Sequence, residues 1–90
     1  MEYRAITEEQ KAGLTINDIE KVLAAVIEAE TGAIAEVLVF DDTTIHTENV
    51  ECETAIITLM QESGFSVNRI SRYEADEDFP ESIALVFKRN

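Results

Sequence analysis

The sequence has no tryptophan, one cysteine, one proline, three glycines and one histidine. Each scarcity removes a class of explanation. With Cys52 alone, neither an internal disulfide nor a cysteine metal cluster can form, and a reducing cytosol, of a cell or of an infected host, is the expected compartment. Scarce glycine and proline among abundant aliphatics exclude a disordered, low-complexity chain. The longest apolar runs, such as Val22 to Ile27 and Val37 to Phe40, fall far short of the roughly 20 residues that span a bilayer. The opening Met1-Glu2-Tyr3-Arg4 has neither the basic start nor the apolar stretch of a signal peptide. Without tryptophan or basic residues interleaved with aromatics there is no stacking platform for single-stranded nucleic acid.

Positive charge is the other shortage. Seven Lys and Arg face 19 Asp and Glu, a formal net charge of −12, whereas roughly 2 to 8 charges already keep a small domain in solution. Such a field repels nucleic-acid phosphates and anionic lipid and favours cationic surfaces. Direct nucleic-acid binding and membrane binding are therefore not expected; a basic protein surface is. The shortage is local as well as global. Residues 22 to 68 contain no Lys or Arg but do contain Glu28, Glu30, Glu36, Asp41, Asp42, Glu48, Glu51, Glu53 and Glu62. A second cluster, Glu74, Asp76, Glu77, Asp78 and Glu81, follows Arg69 and Arg72.

What the sequence does have is pattern. Ninety residues make one domain, 1–90, with no repeat or linker. Glu2 to Ile6 reads as a short strand, and Thr7 with Gln10 as a capping pair. A second helix start stands at Thr15, with Asp18 three residues on. Behind it Ile16, Ile19, Leu23, Val26 and Ile27 recur at helical spacing, and Thr31-Gly32 ends the run. Glu36 to Phe40 is β-branched and apolar, Asp41-Asp42-Thr43-Thr44 is turn chemistry, and Thr43 to Thr47 can return as a short antiparallel strand. Thr47 or Asn49 opens another helix with Cys52, Ile56, Leu59, Met60 and Ser63 on its inner stripe and Gly64 at its end. Ser66 to Glu74 is extended with imperfect alternation, the acidic segment to Pro80 is loop, and Ser82 to Lys88 alternates as a strand. The fold class is α+β: a two-layer sandwich with a ferredoxin-like βαββαβ order, an extra C-terminal strand, and both helices on one face. If Thr43 to Thr47 were only loop, the order would be βαβαββ with a mixed sheet.

Candidate chemistry is thin. Asp41 and Asp42 at the end of an apolar strand could hold Mg²⁺, but Thr43 occupies the place where a phosphatase-like pattern needs its second Asp, and a solvated turn accounts for the pair. His46 near Glu48 could serve as a base or as a metal ligand, yet no nucleophile accompanies it, and a surface histidine among carboxylates explains it. Cys52 lies between Glu51 and Glu53, the wrong surroundings for a reactive thiolate, and reads as core. Phosphate loops, zinc spacings and nucleophile elbows are absent. No enzyme and no cofactor is expected.

The acidic surface is what remains. Its carboxylates are not interleaved with lysine, as i,i+4 helix pairing would favour, and uncompensated self-repulsion is more easily understood if a partner supplies the opposite charge. Carboxylates three apart on a helix, as Glu48 and Glu51 would be, lie about 5–6 Å apart, comparable with the axial rise of about 3.4 Å per nucleotide on a DNA strand. The expected function is a protein-binding inhibitor or regulator that docks on a basic, nucleic-acid-binding protein. The contacts would be Asp41, Asp42, Glu48, Glu51, Asp76, Glu77 and Asp78. In size and charge alone the chain resembles small acidic inhibitors carried by phages, anti-CRISPR proteins and DNA mimics among them. The alternatives are a homodimer paired through a sheet face carrying Tyr3 and the last strand, and a small-ligand or metal-binding domain using Asp41, Asp42 and His46.

Overall fold

The computed structural model describes residues 15–90, so the strand read at Glu2 to Ile6, the capping pair at Thr7 and Gln10, and Tyr3 lie outside the described residues. The first described helix, α1, spans Ile16–Thr31. Thr15 caps it as the sequence implies: its hydroxyl accepts the Asp18 N–H and the Asp18 carboxylate accepts the Thr15 N–H, a reciprocal capping box. The helix buries Leu23, Val26 and Ile27. Ile16, at its first turn, is 60% exposed and does not join the stripe. The helix stops at Gly32, whose φ of 81° is left-handed backbone that glycine adopts without a Cβ penalty.

Strands β1 (Ala35–Val39) and β2 (Thr43–Thr47) follow as a hairpin closed by Phe40, Asp41 and Asp42. A short 3₁₀ turn at Val50–Cys52 leads into α2, Glu53–Glu62, which buries Ile56, Leu59 and Met60. The long strands β3 (Phe65–Tyr73) and β4 (Ser82–Arg89) complete the chain, joined by the acidic loop. Among the described residues the sheet order is β1-β2-β4-β3, and every pairing is antiparallel. Thr43–Thr47 is therefore a strand, and the mixed-sheet alternative is set aside. The last strand takes a central place, flanked by β2 and β3, where it is most shielded; this is why its residues Ile83, Leu85, Val86 and Phe87 are all buried.

The result is an α+β two-layer sandwich. One sheet face, with Val37, Ile45, Ile83, Leu85 and Phe87, packs on the buried residues of α1 and α2. Thr47, 2% exposed, also points inward; its hydroxyl donates to the Ile34 carbonyl at 2.7 Å, so no buried polar group is left unpaired there. Strand β3 explains its imperfect alternation. Val67 pairs with Phe87 but Arg69, two residues on, pairs with Val86, so Asn68 is a bulge. An extra residue reverses the parity: Phe65 and Val67 face the helices before it, and Ile70 and Arg72 face them after it. That places Arg72 against α2, where Nη2 donates to Glu53 Oε2 at 3.0 Å. Nη1 lies 2.5 Å from Oε1, close in charge but out of line for a hydrogen bond, so Oε1 is held by ion contact alone.

Candidate functional site

The other sheet face carries no helix among the described residues. Alternation along each strand decides what it shows. From β1 it receives Glu36 and Leu38, from β2 Thr44 and His46, from β4 Ser82, Ala84, Val86 and Lys88, and from β3 Arg69, Ser71 and Tyr73; Arg69 and Lys88 stand towards the β1–β2 turn end, outside the groove lining. Where β4 begins, the two central strands contribute small or half-buried side chains. Leu38 stands at one margin and Tyr73, with Phe79 and Pro80 of the β3–β4 loop, at the other. Low centre and high margins make a groove of about 820 Å³, within the range of about 300–1,000 Å³ usual for ligand sites. Its walls are apolar and open to water: Leu38 is 41%, Tyr73 53% and Phe79 70% exposed.

His46 is not on open surface, as the sequence suggested, but half-buried in the groove floor. Its Nε2 lies 3.2 Å from Ser82 Oγ, and its ring meets Tyr73 edge-on with centroids 6.4 Å apart. The loop wall is built by Asp76, whose Oδ1 accepts the N–H groups of Asp78 and Phe79 at 2.9 and 2.8 Å, while the Asp76 N–H donates to the Phe79 carbonyl. The side chain thus closes a turn on its own backbone and presents Phe79 to the groove. Among the described residues four carboxylates line the same groove, Glu36, Glu48, Glu74 and Asp76. Arg72 is the one Lys or Arg among the described residues that lines it, and it is committed to Glu53; the hydrogen bond and then the charge of Glu53 raise its pKa above the usual guanidinium value.

The structure divides the contacts read from sequence. Glu48, Asp76, Glu77 and Asp78 lie at the sheet end where β2 and β3 finish and β4 begins, and Glu51 is at the same end in the 3₁₀ turn. Asp41 and Asp42 are at the opposite end, in the β1–β2 turn. Glu48 and Glu51 do not share an α-helix: Glu48 precedes the 3₁₀ turn and lines the groove, whereas Glu51 accepts the Asn49 side-chain amide at 3.3 Å. The regular carboxylate row imagined on one helix is absent there because α2 starts only at Glu53. Asp42 and His46 are four residues apart along a strand, about 13 Å at the usual rise, so they do not converge. Among the described residues no three His, Cys, Asp or Glu side chains form a group that could hold a metal ion. Cys52 is half-buried at the start of α2, its thiol 3.5 Å from the Thr31 carbonyl.

Sequence reasoning missed Glu36, Leu38, Tyr73, Glu74 and Phe79. Parity would have placed Glu36 and Leu38 together on one face, but the neighbours that make them a groove come from β3 and the loop, and the bulge at Asn68 hides which side Tyr73 takes. Among the described residues no helix is long and apolar enough to cross a membrane. Comparison of the chain with protein families, with curated proteins and with solved structures gave no match.

Proposed function

We propose that the chain is a non-enzymatic protein-binding inhibitor or regulator that docks through its acidic groove face on a basic, nucleic-acid-binding protein. The observation that carries this reading is the uncompensated charge of the groove. Among the described residues Glu36, Glu48, Glu74 and Asp76 share it with one Lys or Arg, Arg72, which is already paired. Carboxylates gathered around exposed apolar walls repel one another and gain from a cationic partner that also covers the walls. Phage-borne acidic inhibitors are proteins of comparable size and charge, which makes a nucleic-acid-binding host protein the natural target class.

Pairing of two copies through this face, for which exposed Leu38, Tyr73 and Phe79 speak, would bring two such carboxylate sets together and opposes itself electrostatically.

The test compares charge variants on immobilised protein. Glu36→Gln, Glu48→Gln, Glu74→Gln and Asp76→Asn are combined; the last retains an acceptor oxygen for the loop turn. Basic proteins retained by the parent chain at low salt and eluted by salt should be lost from this variant and kept by Asp41→Asn with Asp42→Asn. Equal retention by all three proteins, or retention that salt does not weaken, refutes the reading.

A further inference from the structure

We infer that the groove accepts one short extended segment of a partner protein, in which two Lys or Arg flank a large apolar residue at alternate positions: cation, any residue, apolar, any residue, cation. The inference rests on the acidic-docking reading and narrows it to one occupant. Three features set the pattern.

The first is the span. The groove crosses the whole sheet, from Glu36 on β1 to Glu74 just beyond β3. The order β1-β2-β4-β3 puts three strand spacings between these margins, about 14 Å at roughly 4.8 Å each. Glu36 is level with Ser71 through His46 and Ala84, so Glu74 lies three residues, about 10 Å, further along the strand direction, and the diagonal is about 17 Å. Four steps of extended chain cover about 14 Å of it, and the long side chains of Lys or Arg at the first and fifth positions of a segment lying diagonally across the strands cover the rest and reach carboxylates at both margins.

The second is parity. In extended backbone, side chains at the first, third and fifth positions point to one side, so the third enters the groove midway between the two cations. The third is shape. Ala84 is half-buried at the centre of the floor, opposite His46 on β2 and Ser71 on β3. Its small side chain leaves the depression, and Leu38, Tyr73 and Phe79 supply apolar walls around it. A large apolar side chain seated there covers surface now exposed to water, while the flanking cations meet Glu36 and Glu48 on one side and Glu74 and Asp76 on the other. A wholly polar cationic segment would leave the walls wet. A second copy of this chain would bring carboxylates against carboxylates.

Two synthetic pentapeptides of identical composition separate this from generic attraction: arginine-glycine-tryptophan-glycine-arginine, and arginine-arginine-glycine-glycine-tryptophan, both with blocked ends. Each is titrated into the full chain at low salt, with backbone amide NMR shifts read across the protein. The spaced peptide should bind about tenfold or more tighter than the scrambled one, with the largest shifts at Leu38, His46, Tyr73, Phe79 and Ala84. Ala84→Leu, which fills the depression from a half-buried position on the uncovered face, and Phe79→Ser should each remove that preference while leaving the salt-sensitive attraction common to both peptides. Equal binding of the two peptides, still abolished by the combined charge variant, overturns the spacing rule and leaves the acidic-docking reading standing. Binding of neither peptide overturns both. A dimer that Phe79→Ser dissolves, in protein that ignores the spaced peptide, assigns the groove to a second copy and overturns the inference.

Discussion

Deleting Asn68 should cost this protein more than replacing it. Asn68 is the bulge of β3, exposed and out of register with β4, so Asn68→Ala leaves the backbone as it is and should change stability by no more than about 0.5 kcal/mol. Removing the residue restores a regular two-residue alternation, and one half of the strand must then turn its side chains over. If the first half turns, Phe65, 3% exposed, leaves the core. Burial of a large apolar side chain is worth about 1.5–3 kcal/mol, and half-buried Val67 adds roughly 1 kcal/mol. If the second half turns, Ile70 loses its partial cover, again roughly 1 kcal/mol. Arg72 then leaves Glu53 as well, but its guanidinium is exposed and such a pair adds little in water. The first route costs about 2–4 kcal/mol and the second about 1 kcal/mol, so the deletion should cost at least about 1 kcal/mol. For a domain of this size that lowers the midpoint of thermal unfolding by roughly 4–8 °C or more. Urea unfolding followed by circular dichroism measures the difference between the deletion and Asn68→Ala. A deletion within about 0.5 kcal/mol of the substitution would refute the parity reversal, and with it the placement of Tyr73 on the uncovered face.

Other perturbations have expected outcomes of the same kind. Thr15→Ala should destabilise by about 1 kcal/mol in chemical unfolding, through loss of the N-cap. The pKa of Asp18 lies below its usual value, first through its side-chain hydrogen bond with Thr15, then through the Thr15 backbone N–H, with a smaller pull from Lys21. Its contribution is therefore present above about pH 4 and lost as pH falls through the depressed value; carboxyl NMR titration should show the low pKa in the parent chain and its return towards normal in Thr15→Ala. Gly32→Ala should cost about 1–2 kcal/mol for left-handed backbone alone, since nothing lies within 4 Å of the added Cβ, and a penalty well beyond that would indicate an overlooked steric clash. Phe87→Ala, removing a fully buried ring from the central strand, should lower unfolding free energy by about 3–5 kcal/mol, and a loss below about 1 kcal/mol would place the core elsewhere.

Local rules determined much of this protein from sequence. The Thr15–Asp18 capping box, the glycine stops at 32 and 64, the Ile56-Leu59-Met60 stripe and the alternation of β4 all follow from interactions within a few residues, which the sequence displays directly. The same is true of the negative field, because charge adds up wherever the chain goes. Tertiary structure decided what that field surrounds. Only the order β1-β2-β4-β3 puts Ala84 at the centre of the groove and Leu38 and Tyr73 at its margins. Only the Asn68 bulge turns Tyr73 outward and Arg72 inward, because one inserted residue moves every later side chain to the opposite face. Asp41-Asp42 and Glu74 to Asp78 look equivalent as acidic stretches, yet pairing separates them to opposite ends of the sheet. Strand order and register are set by contacts between residues far apart in sequence, and those contacts gathered Glu36, Glu48, Glu74 and Asp76 around one apolar groove.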